Sequence, residues 1–310
     1  VDVFFGISGF LITSLLAAEQ RRNVEAARIK APDSISIRDF YIRRAKRILP
    51  AGLAVIAFTL IAGKLLMNTV RYQGVKADAL WATFFGENIH LMRQATDYFA
   101  QGAAVSPLQN YWSLAVEEQF YLVWPLLFIA AAFLYKDAHI TLASKFRMVT
   151  LKRVPNQIGN WQARVSVAVA ALFALSLVWS IHATAANPAP AYYSPFTRAY
   201  ELALGALVAL AAPMLRIDER LGQTAARATG IAGFGLIIAS VAVITPSTPF
   251  PGAWGLLPTA GAALLIIAGM NRTATTPTGL LLGSPPARFI GRISYSLYLW
   301  HWPLIVFAGL

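Results

Sequence analysis

The chain has 310 residues, 57% of them apolar and 13% charged, with a mean hydropathy of +0.56 and a net charge of +12. That is too apolar and too charge-poor for an ordinary soluble domain, and the basic residues lie between apolar runs instead of on one patch, which argues against a nucleic-acid-binding face. With no cysteine at all, thiolate metal sites, a cysteine nucleophile and disulfides are excluded.

Apolar runs long enough for a bilayer core of roughly 30 Å recur at 1–18, 48–67, 112–135, 165–183, 198–215, 229–245, 254–270 and 289–309, with a shorter, more polar one at 78–92. They lack the alternation of barrel strands, so all are predicted as helices, giving an all-α polytopic transmembrane bundle of about eight spanning helices. The stretch 19–47 carries nine basic residues and is placed in the cytoplasm by the bias of lysine and arginine toward that side. The stretches 136–164, 216–228 and 271–288 are also basic, whereas 184–197, which takes in most of the Ala/Pro-rich "ATAANPAPAYYSP", and 246–253 hold no Lys or Arg and read as external loops. These orientations agree only if 78–92, with Glu87, Asn88 and His90, is re-entrant, entering and leaving on one side. The chain starts within a hydrophobic helix at Val1, without a Met, and stops within another at Leu310, so it reads as a fragment truncated at both ends.

A charge inside a membrane costs at least ~2.5 to 3.5 kcal/mol, so each one is a candidate for function. The candidates are Asp2, Glu117, Glu118, Arg198, Glu201 and His301. In "YWSLAVEEQFYLVWPLL", Ser113, Glu117, Tyr121 and Trp124 share a helical face while Glu118 is turned about 100° away, so the two carboxylates are expected to have different partners. Arg198 and Glu201 are three apart and predict a structural ion pair. Asp2 needs a partner from another helix. Of the histidines, His139 lies in a basic loop, His182 closes a helix, His90 is in the re-entrant stretch, and His301, between two tryptophans, suits an aromatic girdle as well as catalysis. No pair of histidines has metal-ligand spacing.

"FYIRRAKRILP" puts Arg43, Arg44 and Arg47 at the cytoplasmic start of a helix. Guanidiniums hold phosphate bidentately and helix N-termini attract anions, so a phosphorylated cytosolic ligand is expected to dock there; anchoring to the cytoplasmic side alone accounts for the cluster equally well. There is no G-x-x-x-x-G-K-[ST], G-x-G-x-x-G, H-E-x-x-H or G-x-S-x-G, which argues against nucleotide hydrolysis, zinc peptidase and serine hydrolase chemistry. The alternative reading of the same charges is a transporter or flippase of lipid-linked saccharides.

Four blocks in order, "VDVFFGISGFLIT", "FYIRRAKRILP", "YWSLAVEEQFYLVWPLL" and "ISYSLYLWHWPLIVF", resemble the successive signatures of bacterial acyltransferase family 3, integral membrane O-acyltransferases. The resemblance covers nearly the whole chain. It implies transfer of an acyl group, usually acetyl from cytosolic acetyl-CoA, to a hydroxyl of an envelope carbohydrate such as O-antigen (lipopolysaccharide), peptidoglycan or exopolysaccharide, in the bacterial inner membrane and with no metal. Carried over by position, Arg44 and Arg47 match an R-x-x-R motif and Glu117 and Glu118 an S-L-x-x-E-E block; from their charges and helical positions alone, Asp2, Ser113, Tyr121, Arg198, Glu201 and His301 are expected in support. The family's first helix, with its functional Arg and His, is expected upstream of Val1, so residues 1–310 alone are expected to be inactive, and an SGNH-type periplasmic domain is expected beyond Leu310. Gly6 and Asn110 depart from the pattern, which more often has a larger aliphatic residue and a His there.

Overall fold

In the computed structural model the backbone is described for residues 1–28, 37–94, 105–133, 158–215, 221–271 and 275–310. Twelve helices run through these: α1 (Asp2–Arg28), α2 (Ile37–Leu66), α3 (Thr69–Thr83), α4 (Glu87–Arg93), α5 (Tyr111–Phe133), α6 (Ile158–Ala186), α7 (Pro188–Tyr193), α8 (Pro195–Leu215), α9 (Gln223–Val243), α10 (Leu256–Met270), α11 (Pro277–Leu282) and α12 (Pro285–Ala308). No strand occurs among the described residues, so the all-α class is borne out. Three stretches are long and apolar enough to cross a membrane, Tyr41–Leu66, Gln162–Ala186 and Gln223–Val243, and two shorter apolar ones are Asp2–Ala18 and Leu256–Met270. Their outer faces carry large aliphatics open to the surroundings, Leu65, Val167, Leu175 and Val241 among them. Faces of that kind suit hydrocarbon better than water.

The packing has two halves that meet at α5. On one side α1 lies between α8 and α10, with α6 behind α8 and α9 behind α10. The α1–α8 approach is backbone to backbone: a Cβ on Gly9 would strike the Leu202 carbonyl, and one on Gly205 the Gly6 carbonyl. Without a hydrophobic drive between helices in lipid, such small residues supply the close van der Waals fit. On the other side α2 packs against α3 and α12. Ile48, Val55, Ala79, Leu108, Tyr111 and Leu299 fill that half, and Phe5, Trp112, Val116, Tyr193, Leu202 and Phe250 fill the space around the first turns of α5.

Helices α3 and α4 form a short hairpin. Asn68 caps α3 by accepting from the Arg71 amide at 2.9 Å, and the helix returns along α2, with Tyr72 against Gly63 and Ala82 and Phe85 beside Gly52. The turn puts Phe85 at φ 53, a left-handed conformation that costs a side chain roughly 1 to 2 kcal/mol. The Gln119 side chain of α5 donates to the Phe85 carbonyl at 2.9 Å and helps to hold it.

Two expected loops are helical instead. The basic stretch 19–47 continues α1 to Arg28 and is taken up again by α2 from Ile37, since alanine, glutamate and arginine are strong helix formers whether or not a membrane surrounds them. Within the Ala/Pro-rich stretch, Pro188 starts α7 and Tyr192 and Tyr193 turn inward to be buried. His139 and most of 136–164 lie outside the described residues.

Candidate active site

In the second turn of α5 and just after it, Glu117 and Glu118 meet one guanidinium. Arg44, from the second turn of α2, donates through Nε to both oxygens of Glu118 at 3.0 and 3.1 Å, and through Nη2 to Glu118 at 2.8 Å and to Glu117 at 3.2 Å. Separate partners were expected because the carboxylates point about 100° apart on the helix. The planar fork of an arginine lying across that helix spans the gap, so the partner is shared. Glu117 is the deeper, 5% exposed against 15% for Glu118, and its Oε1 also accepts from Ser8 of α1 and Tyr121 of α5, both at 2.6 Å. The Arg44 guanidinium lies over the Tyr121 ring. Three side chains from three helices thus converge on Glu117. Glu118 has Arg44 alone among these contacts, in the bidentate geometry that fixes a guanidinium most firmly.

The other expected site residues divide. Ser113, one turn before Glu117, does not join it; its hydroxyl pairs with Tyr298 Oη at 2.6 Å, and Tyr298 also donates to the Asn110 carbonyl at 2.9 Å. His301 Nδ1 lies 2.6 Å from the Tyr298 carbonyl, and the ring packs against Tyr298 and Trp302, as a girdle residue would. Arg43 is exposed, whereas Arg47 lines an open cavity with Arg288 and Arg292 of α12. The run Arg43 to Arg47 is therefore not one unit: Arg44 turns inward to the glutamates and Arg47 toward α12.

Asp2 finds the partner it needed. Arg198, wholly buried, donates through Nη1 to Asp2 at 2.7 Å and to Glu201 at 3.0 Å, and through Nε to the Tyr192 carbonyl at 3.0 Å. Its guanidinium faces the rings of Trp112, Tyr192 and Phe250. The spacing of three foretold the Arg198–Glu201 pair. The α7 carbonyl and the cation–π contacts were not readable from it.

In a third polar group, His90 and Glu87 were read only as marks of a re-entrant stretch, and their neighbour Asp78 was missed. Asp78 of α3 accepts from Ser106 at 2.6 Å and lies 3.2 Å from His90 Nε2 of α4, whose ring stacks on Trp81. Glu87 beside them is fully buried, and neither of its oxygens has a hydrogen-bond partner. The signal was the separation of twelve between Asp78 and His90 across the "FFG" break, because a helical hairpin returns such positions to each other. Among the described residues no group of three or more His, Asp or Glu side chains could hold a metal ion.

The family model for the acyltransferase domain matches residues 1–310. The chain is 30% identical to the peptidoglycan O-acetyltransferase OatA of Listeria monocytogenes over 98% of its own length and 44% of that protein's. It is 32% identical to the O-acetyltransferase OatA of Staphylococcus aureus over 100% and 46%. The chain thus spans less than half the length of these relatives. No solved structure matches it.

Proposed function

Because the chain belongs to the family defined by this acyltransferase domain, we propose that it is the membrane part of an O-acyltransferase. It moves an acyl group, acetyl in the first instance, from cytosolic acyl-CoA to a hydroxyl of an envelope carbohydrate. Relatives named for O-acetyl transfer support the reaction, and one named for peptidoglycan favours peptidoglycan over O-antigen or exopolysaccharide as the acceptor class. The membrane is the bacterial inner membrane, crossed about eight times. The short α3–α4 hairpin folding back along α2 supports a re-entrant segment in place of a ninth crossing. The chain has no cysteine, so Gln73→Cys and Gln94→Cys can be labelled singly. Both should react with a membrane-impermeant maleimide from the outside, and labelling from opposite sides would exclude the hairpin.

The observation that carries the proposal is the Arg44–Glu117–Glu118 cluster, inside a bundle that matches the family from end to end. Acyl transfer from a thioester needs a base for the acceptor hydroxyl and donors for the oxyanion that develops. Glu117 is held on one oxygen by three donors, so its carboxylate is fixed in position to orient or neutralise a protonated base. Glu118 acts behind it, holding the guanidinium in place. The test uses the full-length protein in vesicles supplied with labelled acetyl-CoA on the cytoplasmic side and peptidoglycan fragments on the other. Labelled O-acetyl ester on the fragments is the expected result. Passage of saccharide across the bilayer without ester formation would identify a transporter instead.

A further inference from the structure

Three arginines from two helices line a cavity of about 770 Å3 that the Arg44–Glu117–Glu118 cluster does not use: Arg47 of α2 and Arg288 and Arg292 of α12, with Pro285 and Gly291 completing the wall. Arg288 and Arg292 are four apart and so project from one face of α12. Arg288 lies near the start of that helix, where the positive end of the macrodipole makes a cation unfavourable, and no acid stands in the first turn to offset it. Among the described residues none of the three makes an ion pair, and Glu117 and Glu118 are held by Arg44. The wall itself is open because Pro285 and Gly291 put no long side chain across it. Three guanidiniums around an open volume, ion-paired to no carboxylate among the described residues, suit a ligand with several anionic oxygens.

We propose that this cavity holds the phosphate groups of the soluble acyl donor, a nucleotide-diphosphate-bearing acyl thioester, and that Arg44 does not bind it. The proposal rests on the donor reading given above. The position fits. Arg47 is one turn beyond Arg44, about 4.5 Å of helical rise from the glutamate cluster. On α12, Tyr295 follows Arg292 by one turn and donates to the Ile48 carbonyl at 3.0 Å, tying the cavity wall to α2. The arm of a donor with its phosphates on the three arginines therefore starts about one helical turn from the Arg44–Glu117–Glu118 cluster. An anionic lipid headgroup offers the same phosphate chemistry, and the test separates the two sources.

The full-length protein is placed in nanodiscs of zwitterionic lipid and titrated with coenzyme A. Arg47→Gln should weaken binding by about tenfold and Arg288→Gln with Arg292→Gln by about a hundredfold. Arg288→Lys with Arg292→Lys should recover part of the loss, and Arg44→Gln should bind within about threefold of the parent while losing turnover. Unchanged affinity in the Arg288/Arg292 double variant overturns the proposal and leaves the donor reading standing. A parent protein that acetylates but does not bind coenzyme A overturns both. In nanodiscs containing phosphatidylglycerol, displacement of coenzyme A from the parent, with the double variant losing only its preference for that lipid, would assign the cavity to headgroups and also overturn the proposal.

Discussion

Two parts of this bundle use the same ingredients, one arginine and two carboxylates, with opposite consequences. Around Arg198 everything is closed: the guanidinium has no exposure, a backbone carbonyl and three aromatic rings complete its surroundings, and the acids come from α1 and α8, the two helices in backbone contact through Gly9 and Gly205. Around Arg44 the guanidinium is 20% exposed, its acids are neighbours on one helix, and the next turn of α2 lines an open cavity. A buried ion cluster is costly to make and more costly to break. A partly open one can exchange partners. The first arrangement is suited to fixing helices and the second to handling a substrate.

The sharpest way to break this comparison is to remove each arginine. Arg198→Met leaves Asp2 and Glu201 without their cation in a closed interior, and should cost about 3 to 5 kcal/mol. The expected readout is a loss of monodisperse, heat-resistant protein in detergent. Arg44→Met should cost less in stability, because its glutamates are nearer an opening, and should act mainly on turnover. Equal stability losses for the two would mean that both clusters are structural.

Next in size is Glu117→Gln in the full-length protein, which keeps the shape and most of the hydrogen bonds but removes the charge. It should lower turnover on the order of 10² or more while the protein still inserts and binds coenzyme A. Glu118→Gln should lose less, since its effect passes through Arg44. Envelope acetylation at matched protein levels is the measurement, and near-parental values for both would move the chemistry away from α5.

How much of this was readable in the sequence follows from the range of each interaction. The helical class and the Arg198–Glu201 pair depend on composition or on a spacing of three, which a helix converts directly into proximity. The sharing of Arg44 by Glu117 and Glu118 joins residues more than seventy positions apart, so it depends on how α2 crosses α5. The Asp78–His90 contact needs the hairpin at Phe85, a left-handed non-glycine residue marked in sequence only by the glycine that follows it. Tyr192 and Tyr193 sat in a stretch that composition assigned to an exterior loop, and Trp112 and Arg198 drew them inward.

A smaller effect probes the frame that separates the two clusters. Gly205→Ala puts a methyl group against the Gly6 carbonyl, so α1 and α8 must move apart. Overpacking of this kind costs about 1 to 3 kcal/mol. Because Asp2 and Ser8 both ride on α1, the displacement reaches both clusters, and a fall in thermal stability should be accompanied by a partial fall in turnover. A stability loss with turnover untouched would show that Ser8 is not needed to position Glu117.

The smallest expected effect distinguishes the clusters at the level of one hydroxyl. Tyr121→Phe deletes the donor 2.6 Å from Glu117 and keeps the ring beneath Arg44; Tyr200→Phe deletes a donor 3.1 Å from the Gly252 carbonyl in the closed half. Each removes one buried hydrogen bond and should cost about 0.5 to 1.5 kcal/mol of stability. They should part in turnover. Tyr121 helps to orient a carboxylate still held by Ser8 and Arg44, so its loss should slow acetylation by no more than about tenfold. Tyr200→Phe should leave turnover per folded molecule unchanged. A loss beyond about a hundredfold in Tyr121→Phe would mean that its hydroxyl takes part in the transfer itself. A matching loss in Tyr200→Phe would erase the distinction between the cluster that fixes the bundle and the cluster that works.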